Sequence, residues 1–173
     1  MNYKDMNHIV IDIETLGINA GCPIIQIGAV HVKDGEITDT FNCYPQLENQ
    51  LLEGFRIETD TLRWWLKHAV QLDKIFSEQN VILKTCLNAF IDFIQWTNVL
   101  YWGCSPSFDL DILAYAMRHY GFNVPWMYWQ ERDIRTIRNE AFIGDFKPKN
   151  DYPHDALADA TEEAEILIKA VWG

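Results

Sequence analysis

A chain of 173 residues, 49% hydrophobic and 23% charged, has the make-up of one globular domain, long enough to bury a core without a metal or disulfide staple. Its net charge of −11 argues against a protein that coats long duplexes, since such binding relies on Lys and Arg to neutralise phosphates. In an enzyme whose bound cations meet the phosphate, the same acidic balance favours short, single-stranded ends.

Cys22, Cys43, Cys86 and Cys104 show neither CxxC nor zinc spacing, and are read as free thiols of a reducing compartment. No apolar run reaches the roughly 20 residues of a membrane span, and the opening MNYKDMNHIVIDIE lacks the features of a signal peptide. The expectation is a cytoplasmic protein with no membrane partner.

Residues 8–13 (HIVIDI) read as a short apolar strand rich in β-branched residues, and residues 23–33 (PIIQIGAVHVK) as a second. Asp34-Gly35 is a hairpin signal, and residues 36–44 alternate as a third strand. These three predict an antiparallel meander. Residues 59–68 (TDTLRWWLKH) predict a helix capped by Thr59 and Asp60, with Leu62, Trp65 and Leu66 on one face. Residues 82–96 predict a stronger helix, in which Leu83, Leu87, Phe90, Ile91 and Ile94 follow the 3–4 spacing. Residues 98–103 (NVLYWG) read as a short strand. Residues 107–120 form a helix that opens on Ser and Asp and stops before Gly121. Residues 122–131 are loop-like and aromatic, with Trp126, Tyr128 and Trp129, and residues 132–138 read as a short strand or a helical turn. Residues 154–172 make the last helix, along which Ala156, Ala160, Ala164, Leu167 and Val171 recur. Strands first, then helix, strand and helix, give a single α/β domain with a mixed sheet, three antiparallel leading strands and flanking helices.

Three spacings carry chemistry. Asp12 and Glu14, two apart on a strand, point to the same face, and like charges side by side are costly unless a cation compensates them. The bland alternative is that the strand stops near Ile13 and both acids are solvated. Thr15-Leu16-Gly17 follow as a turn that brings backbone close to a ligand. Asp109 falls in the first turn of a predicted helix, where plain capping is the competing explanation; Asp111 is its rival and points elsewhere. His154 and Asp159 lie about 140° apart on a regular helix. They converge better if His154 precedes or begins the helix, just after Pro153, and leans over the site. The competing explanation is an exposed His and a surface Asp on an acidic helix.

The order DxE, FD and HxAxxD resembles the DEDDh exonucleases, which include proofreading exonuclease subunits and oligoribonucleases. Within that group the stretches IDIETLG, DTLRWWL, YWGCSPSFDLDIL, RDIRTI and HDALADA are most similar to small bacterial exoribonuclease-like domains and to exonuclease A of T-even phages. Many members carry an Asn before FD; here the segment is Gly103-Cys104-Ser105-Pro106-Ser107, which puts one contact near the second metal in doubt.

The resemblance implies a ribonuclease H-like fold and 3′–5′ hydrolysis of single-stranded RNA or DNA ends, with RNA slightly favoured. It implies two Mg²⁺ ions, for which Mn²⁺ substitutes, held by Asp12, Glu14, Asp109 and Asp159, with Asp12 bridging. His154 takes the proton from the attacking water, a role that suits an imidazole. Thr15 meets the terminal 3′-hydroxyl, Leu16 wedges against the last base, and Phe108 either stacks on a base or is core. Arg132 and Arg135 either neutralise phosphates or pair with nearby carboxylates. The loop of residues 126–129 is core, substrate wall or a homodimer contact. The alternatives in other classes are a nuclease fold kept as a catalytically inactive binding or regulatory module, and an acidic structural domain whose motifs arose by chance.

Overall fold

A computed structural model describes residues 2–138 and 140–173. The five-stranded sheet comprises β1 (Asn7–Thr15), β2 (Ile24–Lys33), β3 (Glu36–Cys43), β4 (Val99–Gly103) and β5 (Glu131–Asp133), in the order β3-β2-β1-β4-β5. β1, β2 and β3 form the expected antiparallel meander, and β4 and β5 add parallel to it on the other side of β1. β1 is therefore central, and both of its faces must be covered.

Alternation along β1 decides what covers each face. Ile9, Ile11 and Ile13 face one layer, where they meet Leu83, Leu87 and Phe90 of one helix and Leu113 and Met117 of another. Those helices are α4 (Leu83–Ile94) and α5 (Pro106–His119), within two residues of their predicted bounds. Val10 faces the opposite layer with Val30, Leu100 and Trp102, against Ala160, Ala164 and Leu167 of α8 (Ala156–Trp172). The small residues of α8 let it lie close on the sheet, as their recurrence predicted.

The remaining helices are α1 (Leu47–Leu52), α2 (Thr59–Trp65), α3 (Ala69–Glu78), α6 (Ile134–Ile137) and α7 (Glu140–Ile143). α1 and α3 escaped prediction for physical reasons. α1 is six residues long without a side-chain cap, and α3 buries only Leu72 and Ile75. Thr59 does not cap α2; Glu58 holds that position without a side-chain bond. Trp65 is buried as expected, but Leu66 begins a 3₁₀ turn and is 65% exposed. Residues 132–138, left between strand and helix, hold both: the end of β5, then α6.

Cys43 of β3 and Cys86 of α4 lie side by side, with Cα atoms 6.2 Å apart, a pairing the sequence reading did not anticipate, while Cys22 and Cys104 are free. A separation of 43 residues leaves no local spacing to read. Among the described residues, no helix is long and apolar enough to cross a membrane.

Candidate active site

Because Ile9, Ile11 and Ile13 take one face of β1, Asp12 and Glu14 project from the other, toward the start of α8. Asp12 pairs across the ladder with Gly28, and Glu14 with Gln26. At Gly28 a Cβ would stand 2.3 Å from the Ala156 carbonyl carbon and 2.4 Å from the Leu157 nitrogen. The absence of a side chain there is what lets α8 begin directly over the acids.

The Asp109 carboxylate reaches the same place from α5. It is 1% exposed and accepts a 3.1 Å bond from the Cys104 N–H. The backbone amide of Ile13, between the two acids of β1, also favours its charged form. Gly103 makes room for it, since a Cβ there would lie 2.9 Å from Asp109 Oδ2. Asp111 is exposed and takes no part.

His154 precedes α8, which begins two residues later than the predicted helix; this is one of the two placements the convergence argument allowed. Its φ of 63° lies in the left-handed region, which turns the chain sharply before Asp155 caps the helix. The His154 N–H donates to Asp159 Oδ2 at 3.0 Å, and the Asn150 side-chain amide donates to Asp159 Oδ1. Glu14, His154 and Asp159 each bring one ligand atom into a group spanning no more than 4.8 Å. The His154 ring meets Trp64 edge-on at 4.7 Å and His68 at 5.0 Å. Beneath this turn, Asp155 is tied to β2 and α3. Its carboxylate accepts from Gln26 at 3.2 Å and from Lys74 at 2.9 Å, and Gln26 also accepts from the Ala156 N–H.

The electrostatics of this arrangement are unfavourable without a cation. Burial holds Asp12 well above the usual carboxylate range, and Asp109, Glu14, Glu163 and Asp159 raise it further. Burial, then Asp159, Asp155 and Asp109, push Glu14 up to about 8. Burial takes Asp109 to about 7 against the pull of nearby backbone amides, Cys104 among them, and raises Asp159 against its bonds to Asn150 and His154. Clustered, hard carboxylate oxygens destabilised by one another are the donor set that Mg²⁺ or Mn²⁺ would satisfy. The residues present fit such ions.

The structure therefore brings together all five residues singled out from sequence: Asp12, Glu14, Asp109, His154 and Asp159. The substrate contacts fare differently. Thr15 is buried, its hydroxyl donates to the Gly17 carbonyl at 2.5 Å, and its carbonyl accepts from Trp65 Nε1 at 2.8 Å. Leu16, expected to wedge against a base, is instead 1% exposed and packs with Ile25, Trp65 and Ile75. The exposed apolar residue of that turn is Ile18. Phe108 is partly buried against the main core. Arg135 forms a two-pronged pair with Asp133, and Arg132 binds the Trp129 and Glu131 carbonyls and the Tyr3 hydroxyl. The pairing alternative thus holds for Arg135, and Arg132 is tied into the fold. Trp126 is core, while exposed Tyr128 and Trp129 precede β5, at the opposite end of the parallel strands from the acids.

Sequence reading missed Gly28, the Gln26–Asp155–Lys74 support and the buried acid Glu163. Gly28 and Gln26 sit inside a strand pattern, and nothing local marks their partner as a helix some 130 residues on.

Comparison with known proteins fits this geometry. A family model for the 3′-5′ exoribonuclease Rv2179c-like domain matches residues 7–172. PolC-type DNA polymerase III of Caldanaerobacter subterraneus subsp. tengcongensis is 23% identical over 93% of this chain and 11% of its own length. The same polymerase of Staphylococcus saprophyticus is 27% identical over 68% of this chain and 7% of its own. The chain thus spans about a tenth or less of those curated relatives. Among solved structures, Escherichia coli exonuclease I with single-stranded DNA, in its zinc-bound form, superposes with a TM-score of 0.67 at 12% identity, covering 96% of this chain and 40% of that one. Cell-death related nuclease 4 superposes with a TM-score of 0.62 at 16% identity, covering 98% and 65%. These likenesses establish the ribonuclease H-like exonuclease fold, and with the match along nearly its whole length the chain belongs to the 3′-5′ exoribonuclease Rv2179c-like family of the DEDDh exonucleases.

Proposed function

We propose that this protein is a metal-dependent 3′–5′ exonuclease that removes nucleotides from single-stranded 3′ ends, RNA in preference to DNA. The observation that carries the reading is convergence. The buried Asp109 carboxylate lies near enough to Asp12 and Glu14 to raise both, and His154 and Asp159 close on Glu14 within 4.8 Å. The family description names an exoribonuclease, which supports RNA, while exonuclease I is described with single-stranded DNA.

In this reading Asp12, Glu14, Asp109 and Asp159 hold two Mg²⁺ or Mn²⁺ ions. Such ions, when bound, neutralise the phosphate and lower the pKa of a bound water. The protein's own contribution is positioning. β1 fixes Asp12 and Glu14 on one face, and the Cys104 amide orients Asp109. His154 accepts the proton of the attacking water. Its ring packs edge-on against Trp64 and beside His68, which contact each other, and its backbone is locked to Asp159. The α8 cap, tied through Asp155 to Gln26 and Lys74, keeps base and ligand in register with the strand. Ile18, exposed on the turn after β1, replaces Leu16 as the candidate apolar contact to the terminal nucleotide.

A gel tests the reading. Single-stranded RNA and DNA carrying a 5′ label are incubated with Mg²⁺, Mn²⁺ or EDTA. The expected result is a ladder shortening from the 3′ end, faster for RNA and abolished by EDTA. Shortening of neither polymer with either ion would refute it.

A further inference from the structure

One buried acid near the centre has no assigned task. Glu163 lies one turn after Asp159 on α8, so the two side chains share a helix face. It is 4% exposed. Its Oε1 is 3.8 Å from Arg138, whose side chain is 42% exposed and also lies 3.7 Å from Glu162. Its Oε2 is buried and has no hydrogen-bond partner among the described residues. Folded proteins rarely keep a buried acceptor without a donor, so each such atom calls for an explanation.

The surroundings supply one. Glu163 is buried among like charges, Asp109 foremost, with the Cys104 thiol and Arg138 as the compensating groups beside it. Asp159 and Asp12 face it as well. Glu163 is thus turned toward the Asp109 side of the acidic cluster, one oxygen toward Arg138 and the other unclaimed. Mg²⁺ and Mn²⁺ sites commonly retain waters, whose protons need acceptors.

We propose that Glu163 supplies a fifth carboxylate to the metal centre, on the Asp109 side, its free Oε2 accepting a hydrogen bond from a cation's water. The proposal rests on the metal-site reading above. Arg138 keeps the other oxygen occupied and limits how far the side chain can swing.

The test is a calorimetric titration of the intact chain with MnCl₂, run on wild type, Glu163→Gln, Glu163→Asp and Glu162→Gln, with a thermal melt of each metal-free protein. Glu163→Gln is expected to weaken one of two ions by about 10- to 100-fold, the range for outer partners of metal ligands, and to leave the other unchanged. Glu163→Asp keeps the charge but withdraws the carboxylate by one methylene, and is expected to weaken the same ion. Glu162→Gln titrates as wild type. Wild-type affinities in Glu163→Gln overturn the proposal. If that variant does not melt cooperatively, Glu163→Asp decides, and wild-type affinities there overturn it. A wild-type chain that takes up no Mn²⁺ refutes the metal-site reading itself, a distinct outcome.

Discussion

Replacing Gly28 by Ala adds one methyl group far from the chemistry in sequence but under the start of α8. The new Cβ would lie 2.3–2.4 Å from the backbone of Ala156 and Leu157, whereas ordinary contact begins near 3.4 Å. Backbone cannot rotate away, so the first turn of α8 must retreat from β1 by about 1 Å. His154 is two residues before that contact and Asp159 three after it, so both shift relative to Asp12 and Glu14. Overpacking of this kind costs about 1–3 kcal/mol, which corresponds to a fall in Tm of roughly 2–12 °C for a domain of this size. A displacement of about 1 Å between reacting groups costs on the order of 100-fold in rate. Gly28→Ala is therefore expected to remain folded, melt slightly lower, bind Mn²⁺ more weakly and lose about two decades of kcat on a single-stranded oligonucleotide. Single-turnover kinetics with saturating metal, beside a thermal melt, measure both effects. Turnover within about threefold of wild type, with unchanged Mn²⁺ affinity, would refute the argument that this close approach sets the site.

Other consequences follow from the same geometry. His154→Ala should reduce turnover by about 100-fold or more while Mn²⁺ binding persists in calorimetry; near-normal turnover removes its role as base. Trp65→Phe deletes the indole N–H that holds the buried Thr15 carbonyl and should cost about 1–3 kcal/mol, read as a shift in the denaturant midpoint. The metal-free chain should lose stability as pH rises. Glu14 and Asp109 titrate at about 8 and about 7 when folded, above their unfolded values. Their protonated forms therefore favour the fold at low pH, and that contribution is lost progressively as pH rises from the ordinary carboxylate range near 4 up to 7 to 8. Melting at pH 5.5 and pH 8 should show the drop, with Mg²⁺ raising Tm more at pH 8; a metal-induced shift independent of pH contradicts this.

Much of the fold was readable because it is written in local patterns. β1, β2 and β3 show β-branched runs with a hairpin signal between the last two, and α4 and α8 repeat apolar residues at helical spacing over 12 and 17 residues. α1 and α3 were not readable. Both are short or sparsely buried, and their apolar contacts are set by the loops they close rather than by their own period. The five candidate site residues were legible through their spacing and resemblance, and a His154 that precedes or begins the helix follows from geometry alone. Support of that site was not legible. Gln26 reads as an ordinary strand residue until Asp155 is found against it, and Glu163 reads as one of several acids on an acidic helix until its burial is known. Leu16 shows where resemblance and packing diverge. A role inferred from resemblance assigned to the substrate a side chain that packs inside the molecule, with Trp65 and Ile75.

Anomalous diffraction from crystals soaked in MnCl₂ tests the assembly of the site without relying on turnover. The account predicts two peaks enclosed by the carboxylates of Asp12, Glu14, Asp109 and Asp159, with His154 beside them. Anomalous density elsewhere on the molecule, or none at saturating Mn²⁺, would contradict it.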